Sequence, residues 1–126
     1  MSNAFTDARN QVKTAVVAGI PNTFTVVPER ATPPMAWVAP GDPYISYEGA
    51  TFGGEILRFE VVVVASGGVN ETQADELDDL IASALDALAA DDELFVVDVG
   101  QPGRIAIGTE KYLAAAIAVQ IQIRRT

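Results

Sequence analysis

Residues 111–124 read Lys-Tyr-Leu-Ala-Ala-Ala-Ile-Ala-Val-Gln-Ile-Gln-Ile-Arg, and this stretch is the most informative segment of the sequence. Its odd positions are apolar throughout: Leu113, Ala115, Ile117, Val119, Ile121 and Ile123. Its even positions are small or polar after the first: Tyr112, Ala114, Ala116, Ala118, Gln120, Gln122 and Arg124. Side chains alternate between the faces of a strand, so the pattern predicts one face on a core and one smooth, mildly polar face. At about 3.3 Å per residue the strand would reach roughly 45 Å, which predicts that part of it projects beyond its own sheet.

Two amphipathic helices are predicted upstream of this strand. The first is capped by Ser2 or Asn3 and ends near residue 18, and the second is capped by Asn70 or Thr72 and ends near residue 90. The apolar stripes comprise Phe5, Ala8, Val12, Ala15 and Val16 in the first helix and Leu77, Leu80, Ile81, Ala84, Leu85 and Leu88 in the second. Each stripe recurs at helical spacing and predicts one face packed on a core.

Further strands are predicted at residues 23–27, 35–39, 55–65, 95–99 and 104–107. The second half of the 55–65 strand is apolar on both faces, so either a helix covers each side or another chain buries one of them. The 95–99 strand, Phe-Val-Val-Asp-Val, is predicted to be buried. Together the elements predict a single α+β domain over residues 1–126, with two helices packed on a mixed, mainly antiparallel sheet of about four to six strands.

A long loop is predicted at residues 40–54, where proline and glycine recur between aromatic side chains. Either the loop folds back over the sheet edge, or it is an arm that reaches a neighbouring subunit. Tyrosine suits a contact surface because it buries area at low entropic cost and keeps a polar tip. The predicted interface residues lie in this loop and near the end of the last strand: Tyr44, Tyr47, Phe52, Gln120, Gln122 and Arg124.

The composition argues against catalysis. The chain has no cysteine and no histidine, which excludes thiolate zinc sites, imidazole ligands and histidine-based triads. Eleven acids and no base lie between residues 60 and 98. Of these, Asp75, Asp79 and Asp86 fall on the outward side of the second helix, and the run at residues 91–93 lacks the glycine and spaced ligands of a calcium loop. We therefore expect no enzyme, no cofactor and no metal site.

The net charge of −9, from 17 acidic and 8 basic residues, argues against binding to a nucleic-acid duplex or to an anionic membrane. The longest apolar runs, such as residues 61–65 and 113–119, are too short to span a bilayer. The N-terminal residues lack the charged-then-apolar profile of a secretion signal. We therefore expect a soluble protein that is made in a cytoplasm.

Several stretches, set after an early amphipathic helix, carry a family resemblance. They are Phe24-Thr-Val-Val-Pro-Glu-Arg30, Pro33-Pro-Met-Ala-Trp-Val-Ala-Pro-Gly-Asp-Pro-Tyr44, residues 57–65 leading to Asn70-Glu-Thr, Gly100-Gln-Pro-Gly103, and Tyr112-Leu-Ala114. In this order they resemble the tail terminator proteins of long-tailed phages, particularly those of actinobacteriophages. The likeness covers nearly the whole chain but includes no short functional motif, so it assigns no role to a single residue.

The resemblance implies a homo-hexameric ring in the virion, at the head-proximal end of the tail. Such a ring docks on the last ring of the tail tube protein, ends tube polymerisation and offers a surface to the neck proteins of the head. DNA would pass through its channel without sequence-specific binding, because an acidic or neutral lining repels phosphate. Subunit contacts would use the small face of the last strand or the apolar half of the 55–65 strand, by addition of strands edge to edge.

Two other functions stay open at this point. A head–tail connector or stopper of the neck is also a small ring former, so sequence separates it poorly from a terminator. A small-molecule binding module would instead have a pocket beneath the long loop, around Trp37.

Overall fold

The computed structural model describes residues 3–47, 54–66 and 70–123, and within these ranges it contains two helices and six strands. In chain order they are α1 (Ala4–Val17), β1 (Thr23–Phe24), β2 (Met35–Ser46), β3 (Glu55–Val64), α2 (Asn70–Ala89), β4 (Leu94–Val99), β5 (Gly103–Ile107) and β6 (Glu110–Ile123). All six strands join one mixed, mostly antiparallel sheet. The predicted α+β class is confirmed.

The long C-terminal strand, β6, lies in the interior of this sheet. On one side its residues 114–123 pair with β3, and on the other its residues 117–121 pair with β4 and its residues 110–114 pair with β5. The predicted length is therefore confirmed. The part of β6 that extends past β3 does not project as a free strand. It pairs with β5 and forms a β5–β6 hairpin.

The main strand order is β1-β2-β3-β6-β4, with β1 and β4 at its two ends, and β5 pairs with β6 off this order. β2 is antiparallel to β3, and its register shifts between Pro40 and Ile45. β1 is parallel to β2 and pairs Thr23 with Ala36 and Phe24 with Trp37. The sheet therefore has two different edges, with three strands between them.

Both helices pack on the same face of the sheet. The Asn3 side chain caps α1 by accepting a hydrogen bond from the backbone N of Phe5 at 2.7 Å. The core on this face joins buried residues of both helices to odd-numbered residues of β3 and β6: Ala8, Val12, Val16, Leu77, Ala84, Leu88, Leu57, Phe59, Val61, Val63, Ala115, Ile117, Val119 and Ile121. The remaining stripe residues pack against it while partly exposed, so both predicted stripes are confirmed.

A smaller apolar cluster covers one end of the opposite face. Its buried members are Met35, Trp37, Val64, Ile107 and Ala114. This cluster explains why the second half of β3 is apolar on both faces: the helices cover one face, and the β5–β6 hairpin together with β2 covers the other. A helix on each side is not required.

Two predicted boundaries are wrong. The strand predicted at residues 23–27 ends at Phe24, and the strand predicted at residues 35–39 continues to Ser46 through the first half of the predicted loop. Proline is tolerated in this part of β2 because β1 pairs only with Ala36 and Trp37, and an open side needs no N–H. Residues 48–53 of the predicted loop lie outside the described residues.

Side-chain hydrogen bonds tie the end of β3 to α2 and to the hairpin. Glu76 accepts hydrogen bonds from the backbone N and the Oγ of Ser66, the latter at 2.9 Å. Gln73 is buried, donates to the Ser66 carbonyl oxygen at 3.3 Å and accepts from the Nη2 of Arg104 at 3.3 Å. The β5–β6 hairpin is therefore held against the start of α2.

Candidate assembly surfaces

Tyr44, a predicted interface residue, packs inside its own subunit. Its ring meets Phe59 edge-on with centroids 5.6 Å apart and Phe5 with centroids 6.5 Å apart. Its hydroxyl oxygen is buried and has no hydrogen-bond partner among the described residues. The side chain therefore supports the junction between α1 and the sheet, and its contact with a neighbour stays a prediction.

Tyr47, the second predicted aromatic residue, faces solvent. Its side chain is 65% exposed, and its hydroxyl donates a hydrogen bond to the Oε2 of Glu55 at 2.8 Å. Glu55 itself is only 5% exposed, at the start of β3. The hydrogen bond holds the ring of Tyr47 over the end of the sheet, where a second chain can reach it.

Of the other predicted interface residues, Gln120 and Gln122 lie near the C-terminal end of β6. Gln120 is half-buried between Arg58 of β3 and Phe95 of β4, and Gln122 is exposed. Phe52 and Arg124 lie outside the described residues. The structure thus places the two glutamines on the sheet face that the helices leave uncovered.

One edge of the sheet carries an apolar surface that the sequence did not predict. Among the described strands, β4 pairs with β6 alone, and most of its side chains are exposed. We call Phe95, Val96, Val97 and Val99 the β4 patch, with exposed fractions of 57%, 39%, 55% and 37%. The prediction of a buried strand is therefore wrong, because an apolar run does not distinguish a central strand from an apolar strand at the edge of a sheet.

A second apolar surface lies at the opposite edge. The chain leaves the sheet after Phe24, and the next two apolar residues, Val26 and Val27, are 66% and 56% exposed. We call them the valine patch. They line a cavity of about 300 Å³ together with Arg9 and residues 37–40 of β2. The sequence predicts a strand over residues 23–27, and only the structure shows that its second half lies outside the sheet.

Acidic side chains surround the β4 patch. Residues 91–93 are Asp-Asp-Glu and directly precede β4, and Asp98 lies within it. The Nε2 of Gln11 donates hydrogen bonds to Asp91 at 3.1 Å and to Glu93 at 3.0 Å. This bond pair holds two carboxylates beside the edge strand.

The valine patch has basic neighbours instead. Arg9 of α1 lines the same cavity, and Arg30 follows on the exposed segment after the patch, directly behind Glu29. The net charge of these three side chains is +1. At the β4 patch, Arg58 lines a cavity with Val97 and Asp98, but Asp42 and Glu60 line it too, so with the acids at positions 91–93 this side stays acidic. The two patches are thus apolar surfaces with flanks of opposite charge.

An apolar groove of about 440 Å³ lies on the uncovered face, between the valine patch and the β5–β6 hairpin. Its walls include Val27, Trp37, Val62, Ile105 and Ala114. The predicted pocket around Trp37 therefore exists, but its walls differ from the prediction. None of the described residues of the predicted 40–54 loop lines it, because that part of the chain continues β2.

The described ranges contain no candidate metal site. Histidine, cysteine, aspartate and glutamate do not gather there in groups that could hold a metal ion. No helix in those ranges is long and apolar enough to cross a membrane. No model of a known protein family matches the chain, and no curated protein is significantly similar to it.

Proposed function

We propose that this chain is a structural subunit of a phage tail, in the role of the tail terminator. Copies assemble into a hexameric ring that caps the tail tube, ends its polymerisation and joins the tail to the neck of the head. The observation that carries the proposal is the pair of unlike apolar patches on opposite edges of one sheet.

Two unlike patches on one subunit favour head-to-tail assembly. A surface that mates with a different surface of the next copy gives a heterologous contact, and repetition of that contact closes a ring or extends a filament. The β4 patch and the valine patch meet this condition, since they differ in sequence, in strand neighbours and in flanking charge. Exposed apolar side chains gathered at two edges are also unusual for a chain that functions alone.

The charge of the subunit suits a channel that passes DNA. Each copy carries a net charge of −9, so a ring repels phosphate instead of retaining it. Away from the apolar groove, the uncovered sheet face presents small and polar side chains, among them Ala118, Gln120 and the acid Glu60. Arg58 is a single base on this face of β3 and falls short of the basic track that a nucleic acid backbone needs.

The direct test is to add the purified protein to polymerising tail tube protein and to measure tube length and the mass at tube ends. We expect tubes to stop growing and to carry a hexamer of 13.3 kDa subunits at one end. The proposal fails if tube length does not change and the chain stays monomeric with and without tubes. Binding to portal complexes but not to tubes would instead identify a neck connector or stopper.

A second candidate, a small-molecule binding module, is favoured by the apolar groove next to Trp37. Trp37 is the single tryptophan of the chain, so its fluorescence reports on that groove directly. If this candidate is right, a dye with an apolar ring system, such as the anion anilinonaphthalene sulfonate, changes Trp37 emission and raises the unfolding temperature of a monomer. The variant Ala116→Leu, which narrows the groove, should remove both effects.

A further inference from the structure

We infer that β4 pairs with residues 25–27 of a second copy of this chain, so that each subunit extends the sheet of its neighbour. The inference rests on the proposed function, since it assumes head-to-tail assembly, and it names the contact through which that assembly occurs. Addition of a strand to an exposed sheet edge is a common way for an extended segment to bind.

The outer edge of β4 has little of the protection that natural sheets give to exposed strands. Monomeric proteins usually cover an edge with lysine, proline or inward-pointing charge. β4 reads Leu-Phe-Val-Val-Asp-Val, so within this strand Asp98 and the register shift between Val96 and Asp98 are the sole devices of this kind. Among the described strands, its outer backbone groups therefore have no ladder partner and lie between exposed apolar side chains.

Residues 25–27 are the segment that suits this edge. Thr25, Val26 and Val27 are all β-branched and directly continue β1, yet the strand ends before them. Their strand preference is not used within the subunit, and the two valines remain mostly exposed. Pairing with β4 of a neighbour would complete the strand that the sequence predicts and would cover both patches at once.

The remaining edge of β2 is a poorer partner for β4. Pro40 and Pro43 have no backbone N–H to donate to a new strand. Gly41 between them packs so closely on Arg58 that a Cβ there would lie 2.8 Å from the Cβ of Arg58. The two prolines make this part of β2 a poor template for strand addition, and Gly41 fits it to β3 of its own subunit.

Pairing of β4 with a second β4 is disfavoured by charge. It would bring the 91–93 run and Asp98 of one copy next to the same acids of the other. Pairing with residues 25–27 brings those acids towards Arg9 and Arg30 instead. Complementary charges of this kind select the correct partner and register.

Cysteine cross-linking tests the contact cleanly, because the chain has no cysteine of its own. The test variant carries Val27→Cys and Val97→Cys together, and two further variants carry each change alone. The matched control carries Ala82→Cys on the exposed surface of α2 together with Val97→Cys. Circular dichroism and thermal unfolding of every variant establish that it is folded before oxidation.

We expect the Val27→Cys, Val97→Cys variant to give a ladder of disulfide-linked oligomers that ends in a closed species. A mixture of the two single variants should give a dimer that contains one copy of each and no larger product. The control variant with Ala82→Cys and Val97→Cys should give no ladder of oligomers. A disulfide-linked dimer from Val97→Cys alone would overturn the inference, because it would show that two β4 strands pair.

Failure of this contact and failure of the proposed function give different results. If a ring forms and caps tubes but the cysteines introduced at positions 27 and 97 do not cross-link, the ring uses another contact and the inference is wrong. If the unmodified chain stays monomeric and does not act on tubes, the proposed function is wrong and the inference falls with it.

Discussion

Gly19 lies where the end of α1 crosses α2, and the two backbones meet there without room for a side chain. A Cβ at this position would lie 2.5 Å from the carbonyl oxygen of Ser83 and 2.9 Å from its carbonyl carbon. We expect Gly19→Ala to lower the free energy of unfolding by about 1–3 kcal/mol, because backbone atoms must move apart. Urea denaturation measures the change. Gly103→Ala is the matched control, since nothing lies within 4 Å of the Cβ it would add, and equal effects of the two changes would contradict the explanation.

Tyr44 and Tyr47 illustrate what sequence can and cannot predict about single residues. Their spacing in a segment rich in proline and glycine predicts two aromatic contacts of one kind. The structure gives them different environments, because Phe5 and Phe59 converge on Tyr44 from distant parts of the chain while Tyr47 points to solvent beside Glu55. Such convergence depends on tertiary packing, which no local pattern contains.

The environment of Tyr44 allows its role in folding to be separated from any role in assembly. Tyr44→Phe keeps both ring contacts and removes a buried hydroxyl that has no partner among the described residues, so stability should stay equal or rise by about 1 kcal/mol. Tyr44→Ala should lower the free energy of unfolding by on the order of 3 kcal/mol, because the ring contacts are lost. Thermal unfolding distinguishes the two variants. If Tyr44→Ala is as stable as the original chain, the ring does not support the core.

At the level of elements, the sequence predicts most of the fold. Alternation in β6 and the 3.6-residue stripes of α1 and α2 are confirmed, because one face of each element is buried and the other is not. β4 is the element for which this reasoning failed. Its apolar residues occupy both sides of the strand, which is also the pattern of a buried central strand, and only the strand order places it at an edge.

The edge position of β4 predicts that its side chains matter for assembly more than for folding. Phe95→Ser should lower the free energy of unfolding by no more than about 1 kcal/mol, because the side chain is already 57% exposed and under half of its area is buried in the subunit. The same variant should lose oligomer formation in light scattering, since the aromatic ring is the largest side chain of the β4 patch. Phe59→Ser is the contrast, because Phe59 is buried and its loss should unfold or strongly destabilise the subunit. Normal assembly of Phe95→Ser would show that the β4 patch is not a contact.

For the whole molecule, the sequence predicts the acidity but not where it lies relative to the assembly surfaces. The run of acids between residues 60 and 98 is evident from composition alone. Folding places Asp75, Asp78, Asp79 and Asp86 on the exposed side of α2 and the acids at positions 91–93 and 98 at the edge beside β4. It places Arg9 next to the valine patch at the opposite edge. The subunit is thus acidic as a whole, with a local contrast of charge between its two edges.

The net charge of the subunit opposes ring assembly, whereas the local charges at its two edges favour it. Two variants that change the net charge equally distinguish the two effects. Subunits of like net charge repel each other at long range, and salt screens this repulsion. Charges within a contact act at close range. Arg9→Gln and Ala82→Glu each make the net charge more negative by one unit, so they add the same general repulsion. Only Arg9→Gln removes a base beside the valine patch, since Ala82 lies on the exposed surface of α2.

We expect Arg9→Gln to weaken subunit association by about 0.2–1 kcal/mol more than Ala82→Glu at low salt, because exposed ion pairs contribute that much. Sedimentation measures the difference, which should disappear at about 1 M salt, where the screening length falls to roughly 3 Å. Equal weakening by both variants would mean that the charges beside the patches play no specific part in the contact.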